Sequence, residues 1–380
     1  MFLGFGIWLS FAGAADFCVT NSAELQAALD IAETNGQDDT VRIVQGTYAA
    51  PPGGFTFSAP ASEDGFSLTV SGGFTSSGPP FFICSEPVLK DPELTVLDGG
   101  GTRRVMILVL PQEGSVDVRN LSFINGFSAD SGGSGGLDLF LPIGSSFAGT
   151  LTVENNIFLL NKANQVGGLN VGGFSGLETV NVRVVNNLFV GNQANQMQQG
   201  PAPGAAYIAV SLPEPRGEIV IDPRPAVSFV HNTVVDNHSI NQTGGVFIAG
   251  DVTNLYVASN NFWNNSGNDL EWFGVGPNRV LRNNNIQQSE FNSLPPTSEG
   301  GNISAPPQFL NCGPLCVDRI PAPGSPLIDA GYSPLGPPFQ PWSAPSRDLN
   351  GEPRVQGSAI DIGAYEGVGD RVFNDRFASD

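Results

Sequence analysis

The chain has 380 residues, and 36 acidic side chains against 16 lysines and arginines give it a formal net charge of −20 at pH 7. A surface this acidic repels phosphate groups, which excludes nucleic acid and disfavours anionic membrane surfaces as partners. Hydrophobic residues make up 40% of the chain, enough for a long core, while 48 glycines and 30 prolines predict many turns.

Residues 1–15 form an apolar run that contains Ala12-Gly13-Ala14 shortly before Asp16. An apolar core followed by small residues resembles a secretory signal peptide, although no Lys or Arg precedes the run. A membrane-spanning helix needs about 20 apolar residues, and neither this run nor any other stretch reaches that length. The sequence therefore predicts an exported protein, secreted or at the outer cell surface, without a transmembrane span.

Four cysteines support export, because disulfides persist in oxidising compartments. Cys18 and Cys84 both belong to the N-terminal section and could join a cap to an early coil. Cys312 and Cys316 could close a small loop, whereas a zinc site would need further ligands and no histidine lies nearby. Disulfides are favoured over metal, three connectivities stay open, and no cofactor is expected.

An amphipathic helix is predicted over residues 22–34. Its apolar side chains recur at helical spacing on one face: Leu25, Ala28, Leu29 and Ala32. Asn21 and Glu24 are typical of a capping pair at a helix N-terminus. A stack of strands needs a cover over its open end, so we expect this helix to be a lid on the first coil. Strands over residues 40–48, 67–74 and 95–100 then predict irregular early coils.

One short sequence motif recurs six times between residues 118 and 286. Each copy pairs a strand residue with a bulky apolar residue five positions later: Val118/Phe123, Val153/Phe158, Val184/Phe189, Phe229/Val234, Val257/Phe262 and Leu281/Ile286. Successive copies start 35, 31, 45, 28 and 24 residues apart. So irregular a period, with Asn and Gly at the corners, predicts a stacked β-solenoid and disfavours propeller blades and helical repeats. A β-sandwich punctuated by Asn and Gly is the alternative.

Asparagine follows three positions after the strand residue in five copies: Asn156, Asn187, Asn232, Asn260 and Asn284. Asparagine tolerates tight-turn backbone angles and can hydrogen-bond to the same residue on the next rung. We therefore expect a ladder of these side chains along one corner of a parallel β-helix, with Val118, Val153 and Val184 aligned in one interior row.

The longest interval between copies contains residues 193–225, a proline-rich segment. We expect it to project from the wall of the solenoid. Loops mounted on a stiff scaffold often form binding surfaces, and an idle surface bulge is the alternative.

Three short motifs lie near the C-terminus: Ser-Pro-Leu-Ile-Asp-Ala-Gly at 325–331, Arg-Asp-Leu-Asn-Gly at 347–351 and Asp-Ile-Gly-Ala-Tyr-Glu at 361–366. With the N-terminal helix, Gly46-Thr47-Tyr48 and Gly72-Gly73-Phe74, they resemble secreted bacterial proteins with the choice-of-anchor Q domain. These fall among pectin-lyase-like β-helices and polymorphic outer-membrane-type repeats. The resemblance covers most of residues 18–366 and implies an all-β, single-stranded, right-handed parallel β-helix with an N-terminal capping helix. Five charged residues match the family motif and are expected to form a clasp that closes the last coil: Asp329, Asp348, Arg354, Asp361 and Glu366.

Catalytic chemistry has weak support in this sequence. A lyase needs a base and Ca²⁺ held by clustered carboxylates, and a hydrolase needs two carboxyl groups about 5 to 9 Å apart. The regular coils contain one lysine, Lys162, and no acidic cluster that repeats from coil to coil. The best local candidates for catalysis or metal binding are His231, Asp236 and His238. His231 takes the place that asparagine holds in other coils, so we expect it to be a corner substitute.

The predicted organisation has five parts: a signal peptide over 1–15, a cap helix with early coils over 16–104, regular coils over 105–300, a closing motif over 301–366 and a flexible tail over 367–380. The leading hypothesis is a monomeric, adhesin-like protein that binds a polysaccharide or cell-surface glycan. The alternatives are a polysaccharide lyase or glycoside hydrolase, where Ca²⁺ would be the expected cofactor, and a structural envelope module.

Overall fold

Stacked parallel strands dominate the computed structural model. It describes residues 14–60, 65–76, 84–85, 91–110, 113–130, 132–140, 146–195, 200–211, 226–250, 252–292, 294–310, 319–332 and 344–367. Most of the predicted signal peptide, Cys312 and Cys316, and the predicted tail from residue 368 lie outside these ranges.

The described residues contain one α-helix, α1 (Ser22–Ala32), and a 3-10 turn at Pro92–Leu94. The first strands are β1 (Ala15–Val19), β2 (Asp39–Val44), β3 (Gly46–Ala49), β4 (Phe55–Ser58), β5 (Leu68–Ser76), β6 (Cys84–Ser85), β7 (Thr95–Asp98), β8 (Met106–Val109) and β9 (Glu113–Arg119). The next are β10 (Ser122–Ile124), β11 (Phe127–Ser128), β12 (Leu137–Phe140), β13 (Ser146–Glu154), β14 (Ile157–Leu159), β15 (Lys162–Ala163), β16 (Leu169–Val185), β17 (Leu188–Val190), β18 (Gln193–Ala194) and β19 (Ala206–Ser211). The last are β20 (Ala226–Val230), β21 (Thr233–Val235), β22 (His238–Ser239), β23 (Val246–Ala249), β24 (Asn254–Ala258), β25 (Asn261–Trp263), β26 (Leu270–Phe273), β27 (Asn278–Arg282), β28 (Ser289–Glu290) and β29 (Ser298–Gly300).

Three long ladders of parallel strands run through the described part of the chain. The first joins β1, β2, β5, β9, β13, β16, β20, β24, β27 and β29 in that order. The second joins β3, β7, β10, β14, β17, β21 and β25. The third joins β4, β8, β12, β16, β19, β23, β26 and β28. The two-residue strands β11, β15, β18 and β22 form a fourth, short ladder.

The chain visits these ladders in the same order on successive circuits. It passes through β9, β10, β11 and β12, and then one rung further on through β13, β14, β15 and the first part of β16. Of the pairings between described strands, only that of β5 with β6 is antiparallel. The protein is therefore an all-β stack of parallel strands, an arrangement compatible with a parallel β-helix.

The interior row predicted from the repeated motif is confirmed. Val153 is in register with Val118 on one side and with Val184 on the other. The row continues through Phe229, Val257 and Leu281. All six side chains are at most 2% exposed. Because side chains alternate along a strand, burial of this row fixes the register of the whole ladder.

Aromatic rings form a second interior row on the neighbouring ladder. Phe123, Phe158 and Phe189 are in register, and consecutive ring centroids lie 5.2 and 4.7 Å apart. These distances are close to the spacing of neighbouring strands, about 4.8 Å, so each ring stacks on the ring of the next rung. Equal side chains at equal positions therefore contact each other along the stack.

Two columns of asparagine follow two corners. In the first, the backbone N–H of Asn156 donates to Oδ1 of Asn187 at 2.9 Å, and the side-chain amide of Asn156 donates to the Val118 carbonyl at 2.9 Å. The same backbone-to-amide bond then joins Asn187 to Asn232, Asn232 to Asn260, Asn260 to Asn284 and Asn284 to Asn302. The second column repeats this bond through Asn161, Asn192, Asn237 and Asn265.

The turn geometry and the ladder hydrogen bonds, both predicted for one asparagine at each corner, belong to two neighbouring residues. The residue before the ladder position has the positive φ of the turn: Asn120, which precedes Leu121, and Asn155, Asn186, His231, Ser259 and Asn283, which precede ladder asparagines, with φ between 51° and 62°. The ladder asparagine then makes the hydrogen bonds. One position must therefore tolerate a left-handed backbone, while the next must satisfy buried backbone groups.

Helix α1 begins as predicted and ends two residues earlier. Asn21 accepts a hydrogen bond from the Glu24 N–H at 3.0 Å, and Glu24 accepts one from the Thr20 N–H at 2.8 Å. The four predicted apolar side chains are buried. Beside this face, Gln26 exchanges hydrogen bonds with the backbone of Thr56 in β4, at 2.9 and 3.0 Å. The helix thus pairs with backbone groups of an early strand as well as with the core.

A disulfide joins Cys18 in β1 to Cys84 in β6. This pair is one of the pairings that the sequence left open. It ties the first strand to the short strand that pairs with β5, a link between elements 66 residues apart in the chain.

The C-terminal segments lie back along a corner of several coils. Tyr332 and Gly363 donate backbone hydrogen bonds to Ser259, at 2.7 and 2.8 Å. Ala364 donates to the Thr233 hydroxyl at 3.0 Å, and Arg354 donates to the Asn186 side chain. The predicted clasp therefore spans at least three coils rather than closing the last coil alone.

The segment predicted to project from the wall contributes two strands to the wall. Within residues 193–225, β18 joins the short ladder, and β19 pairs with β16 and β23 in the third ladder. Residues 196–199 and 212–225 lie outside the described ranges. The long interval in the repeat thus contains an ordinary rung.

Candidate functional site

An open groove of about 460 Å³ lies on the outer face of the third ladder. Its floor consists of side chains from β23 and β26, namely Phe247, Glu271 and Phe273. Residues 200–202 and 241–243 form its sides, together with Asn292. We call this feature the β23–β26 groove. Its size falls within the range of small-ligand sites in proteins.

Strand alternation turns these side chains outward. Tyr207, Phe247 and Glu271 are in register on consecutive rungs. Their neighbours in the chain are fully buried: Ala206, Ile208, Val246, Ile248, Leu270 and Trp272. Because successive side chains point to opposite faces of a strand, the intervening residues face away from the core. The floor of the groove is therefore part of the strand wall, while its sides come from the connections between strands.

Aromatic rings supply the apolar part of the groove. The rings of Tyr207 and Phe247 stack with centroids 5.7 Å apart and planes 8° apart. Phe273 is 60% exposed, so its ring is accessible to a ligand. Aromatic surfaces of this kind provide rigid contact area for ligands with apolar faces.

Hydroxyl, amide and carboxylate groups supply the polar part. The Thr243 hydroxyl donates to one carboxylate oxygen of Glu271, and the Asn292 amide donates to the other at 3.2 Å. On the side wall, Asn241 donates to the Gly200 carbonyl at 3.1 Å, and Ser239 donates to the Ala202 carbonyl at 2.6 Å. These bonds hold residues 200–202 against the rung that follows.

The outward column continues beyond the groove as a polar strip. Asp138 and Asn170 precede Tyr207 on the two rungs before it, and the Asn170 amide donates to Asp138 at 2.6 Å. Arg104 lies 3.9 Å from the same carboxylate. Burial raises the pKa of Asp138 to about 6, against the opposing effects of Asn170 and Arg104. Asp138 and Asn170 are both buried, so this part of the column offers almost no surface to a ligand.

The predicted histidine candidates lie at two different corners. His231 is fully buried with a φ of 54°, in the same corner column as Asn186. Burial, followed by the charge of Arg354, lowers the pKa of His231 well below its usual 6.5, so the ring is neutral at pH 7. Asp236 takes the positive-φ position of the other corner and bonds to Asn264 at 2.7 Å and Arg319 at 3.1 Å.

His238, the third candidate, is exposed on β22. A buried neutral His231 has no route to a substrate in solution, and the Asp236 carboxylate is held by an arginine. The arrangement fits the corner role that the sequence predicted for His231. A catalytic role for the three residues stays a prediction. Within the described residues, no group of three or more His, Cys, Asp and Glu side chains could hold a metal ion.

The C-terminal charged residues gather around one arginine. Arg354 lies 3.4 Å from Glu366 and donates to the Gly363 carbonyl at 2.9 Å. Glu366 accepts from the Asp361 N–H at 3.2 Å, and the Glu366 N–H donates to Asp348 at 3.0 Å. We call Asp348, Arg354, Asp361 and Glu366 the Arg354 cluster; all four are buried. The cluster holds its own backbone against the corner rather than facing a cavity.

Sequence reasoning missed the β23–β26 groove. A signal was present in Val246-Phe247-Ile248-Ala249, which is apolar at every position and so resembles a strand buried on both faces. The register with the neighbouring rungs shows that Phe247 points outward. An aromatic residue at an outward position of a solenoid wall would have indicated the site.

Comparisons with known proteins add no relative. No family model matches the chain, and no curated protein or solved structure matches it. The likeness to choice-of-anchor Q proteins therefore rests on the sequence motifs alone. Helix α1 has 11 residues, and no described helix is long and apolar enough to cross a membrane.

Proposed function

We propose that the protein is an exported, right-handed, single-stranded parallel β-helix that binds a glycan in the β23–β26 groove. The parallel ladders and their fixed order of visits support the β-helix, and the choice-of-anchor Q resemblance supplies the hand. The Cys18–Cys84 disulfide supports an oxidising compartment.

Helix α1 caps the N-terminal end in this proposal. Its apolar face packs on the core, and Gln26 pairs with both backbone groups of Thr56 in β4. A side-chain amide that occupies strand-edge groups prevents the edge from pairing with another chain. A cap of this kind favours a monomer.

The observation that carries the binding function is the composition of the groove. Sugars present apolar C–H faces and a rim of hydroxyl groups. Phe273 offers most of the ring surface to the faces, since Phe247 is 7% exposed, while Thr243, Glu271 and Asn292 offer donors and acceptors to the hydroxyls. A rigid wall fixes these groups before binding, which lowers the entropy lost on association.

Binding is favoured over hydrolysis by the carboxylate inventory. Hydrolysis needs two carboxyl groups about 5 to 9 Å apart. Glu271 is the one carboxylate among the described residues that line the groove, and Glu290, in register with it on the next rung, is not among them. The lyase or hydrolase and the envelope module remain the competing hypotheses.

An array of polysaccharides, assayed for binding and for new reducing ends or unsaturated uronates, tests the proposal. We expect binding without products. Phe273→Ala should weaken binding at least about tenfold without loss of folding, because the ring is exposed. Ile31→Ala is the matched control, since Ile31 is an exposed apolar side chain on α1. Products would support the enzyme hypothesis, and equal binding by both variants would remove the groove from the function.

A further inference from the structure

We infer that the β23–β26 groove selects its glycan by charge, preferring amino sugars to neutral sugars and neutral sugars to uronic acids. This inference rests on the proposed glycan binding and names the ligand class of the same site. It assigns Glu271 as the residue that determines specificity.

The charge inventory of the groove is the first step. Its described lining residues contain one carboxylate and no lysine, arginine or histidine. Glu271 takes part in none of the ion pairs among the described residues. A uronate bound here would therefore place its carboxylate near Glu271 without a cation between them.

The position of the Glu271 carboxylate is the second step. Thr243 donates to one oxygen and Asn292 donates to the other, and both donors are neutral. The two hydrogen bonds fix the carboxylate in place and leave its negative charge uncompensated. A fixed, uncompensated carboxylate at the floor of a groove is complementary to a donor that is itself positively charged.

Aromatic rings beside Glu271 act in the same direction. Phe247 is in register with Glu271 on the preceding rung, and Phe273 lies two positions further along β26. The faces of aromatic rings attract cations and do not attract carboxylates. An ammonium group on a sugar would pair with Glu271 and contact the exposed ring of Phe273, whereas an N-acetyl group would keep the ring contact and lose the ion pair.

Three oligosaccharides of equal length test the inference: oligomers of glucosamine, N-acetylglucosamine and galacturonic acid. Binding is measured by calorimetry at mildly acidic pH, where the sugar amine is protonated. We expect the glucosamine oligomer to bind most tightly and the galacturonic acid oligomer least. Glu271→Gln should weaken glucosamine binding roughly tenfold, tighten galacturonate binding and leave N-acetylglucosamine nearly unchanged.

The net charge of −20 would by itself attract any cation, so a charge-matched control is essential. Glu113→Gln removes the same charge from an exposed position in β9, on another ladder. We expect this variant to keep the wild-type order of affinities. Equal effects of the two variants would overturn the assignment to Glu271, and a preference for galacturonate would overturn the charge selection while leaving glycan binding intact. If none of these oligomers nor any glycan of the array binds, the proposed function itself is wrong.

Discussion

The asparagine column and the Arg354 cluster satisfy buried backbone groups at one corner with opposite chemistry. Along the column, neutral amides such as Asn187 bond to the backbone of the preceding rung, at the Asn156 N–H and the Val153 carbonyl. In the cluster, Arg354 and Glu366 bond to the backbone of the C-terminal segment while carrying ionisable groups into the same interior. The two regions meet where Arg354 donates to Asn186.

The difference lies in the dependence on protons. An amide does not titrate, so the column holds equally well at any ordinary pH. The cluster sets one arginine against three carboxyl groups, and burial raises the pKa of Glu366 to about 8 and that of Asp361 to about 6. Burial also raises the pKa of Asp348. The attachment of the C-terminal segment should therefore depend on pH, while the hydrogen bonds of the asparagine column should not.

Removal of the arginine should have the largest effect. Arg354→Met removes the cation beside the buried carboxyl groups of Asp348 and Asp361 and the donor to the Gly363 and Ala364 carbonyls, and removing a buried charged partner in this way costs about 3–5 kcal/mol. We expect that loss in the free energy of unfolding, measured by urea denaturation at pH 7. Arg42→Met is the control, because the Arg42–Asp16 pair is partly exposed and should contribute at most about 1 kcal/mol. Equal losses in the two variants would contradict the distinction.

Interruption of the asparagine column should come next. Asn187→Ala removes the acceptor of the Asn156 N–H and the donor to the Val153 carbonyl, each at 2.9 Å. Buried groups left without partners should lower the free energy of unfolding by about 3 kcal/mol. The loss should be the same at acidic and neutral pH. A pH-dependent loss would show that the column is coupled to the cluster.

Asn278→Ala is the matched control for the column. Asn278 is exposed and bonds to Asn254 across the wall at 2.8 Å. Its amide can be replaced by water, so we expect a loss below about 1 kcal/mol. The comparison separates buried amide ladders from amide pairs that merely lie in register.

Titration of Glu366 should make the free energy of unfolding depend on pH. The pKa of its carboxyl group is raised from 4.5 to about 8 on folding, so the folded state holds a proton that the unfolded state has lost. Its contribution is fully present below pH 4.5 and is lost as the pH rises through about 8. Asp361, with its pKa raised to about 6, acts with the same sign.

Glu366→Gln should flatten this fall, because the amide resembles the protonated acid and does not titrate. The free energy of unfolding, measured by denaturant at a series of pH values, should decline less in the variant than in the wild type. Glu113→Gln, at an exposed position, should keep the wild-type slope. A variant slope equal to that of the wild type would mean that Glu366 is ionised in both states.

The wall could be predicted from the sequence because its information is local and repeated. Val118 and its counterparts recur at fixed distances from the ladder asparagines, and the same spacing appears as register in the structure. Each rung imposes the same demand on the same position, so the pattern accumulates over the repeats. The division of labour between Asn155 and Asn156 was not predictable from that pattern, since both positions hold the same residue type.

The contacts of the C-terminal segment and the position of the groove are not encoded in a repeated local pattern. The course of residues 344–367 depends on single contacts with distant rungs, such as that of Ala364 with Thr233, 131 residues away. A contact that occurs once leaves no periodic pattern in the sequence. The groove depends on which face of β23 is covered, and an apolar strand does not reveal that from its own residues. The charged C-terminal residues were recognised by resemblance, but the coils that they contact were not.

The smallest expected effect concerns the one titratable residue in the corner column. His231 is buried and neutral, with its pKa well below the usual 6.5, so the unfolded state gains a proton that the folded state refuses. Its contribution to stability is present above pH 6.5 and is lost as the pH falls below that value, opposite in sign to that of Glu366.

His231→Asn restores the residue type found at Asn155 and Asn186, which accepts the positive φ without a charge. The variant should lose less stability than the wild type on acidification. His238→Asn, the same change at an exposed position, should behave as the wild type does. If His231→Asn is as sensitive to acid as the wild type, His231 does not contribute to the loss of stability at low pH, and other residues cause that loss.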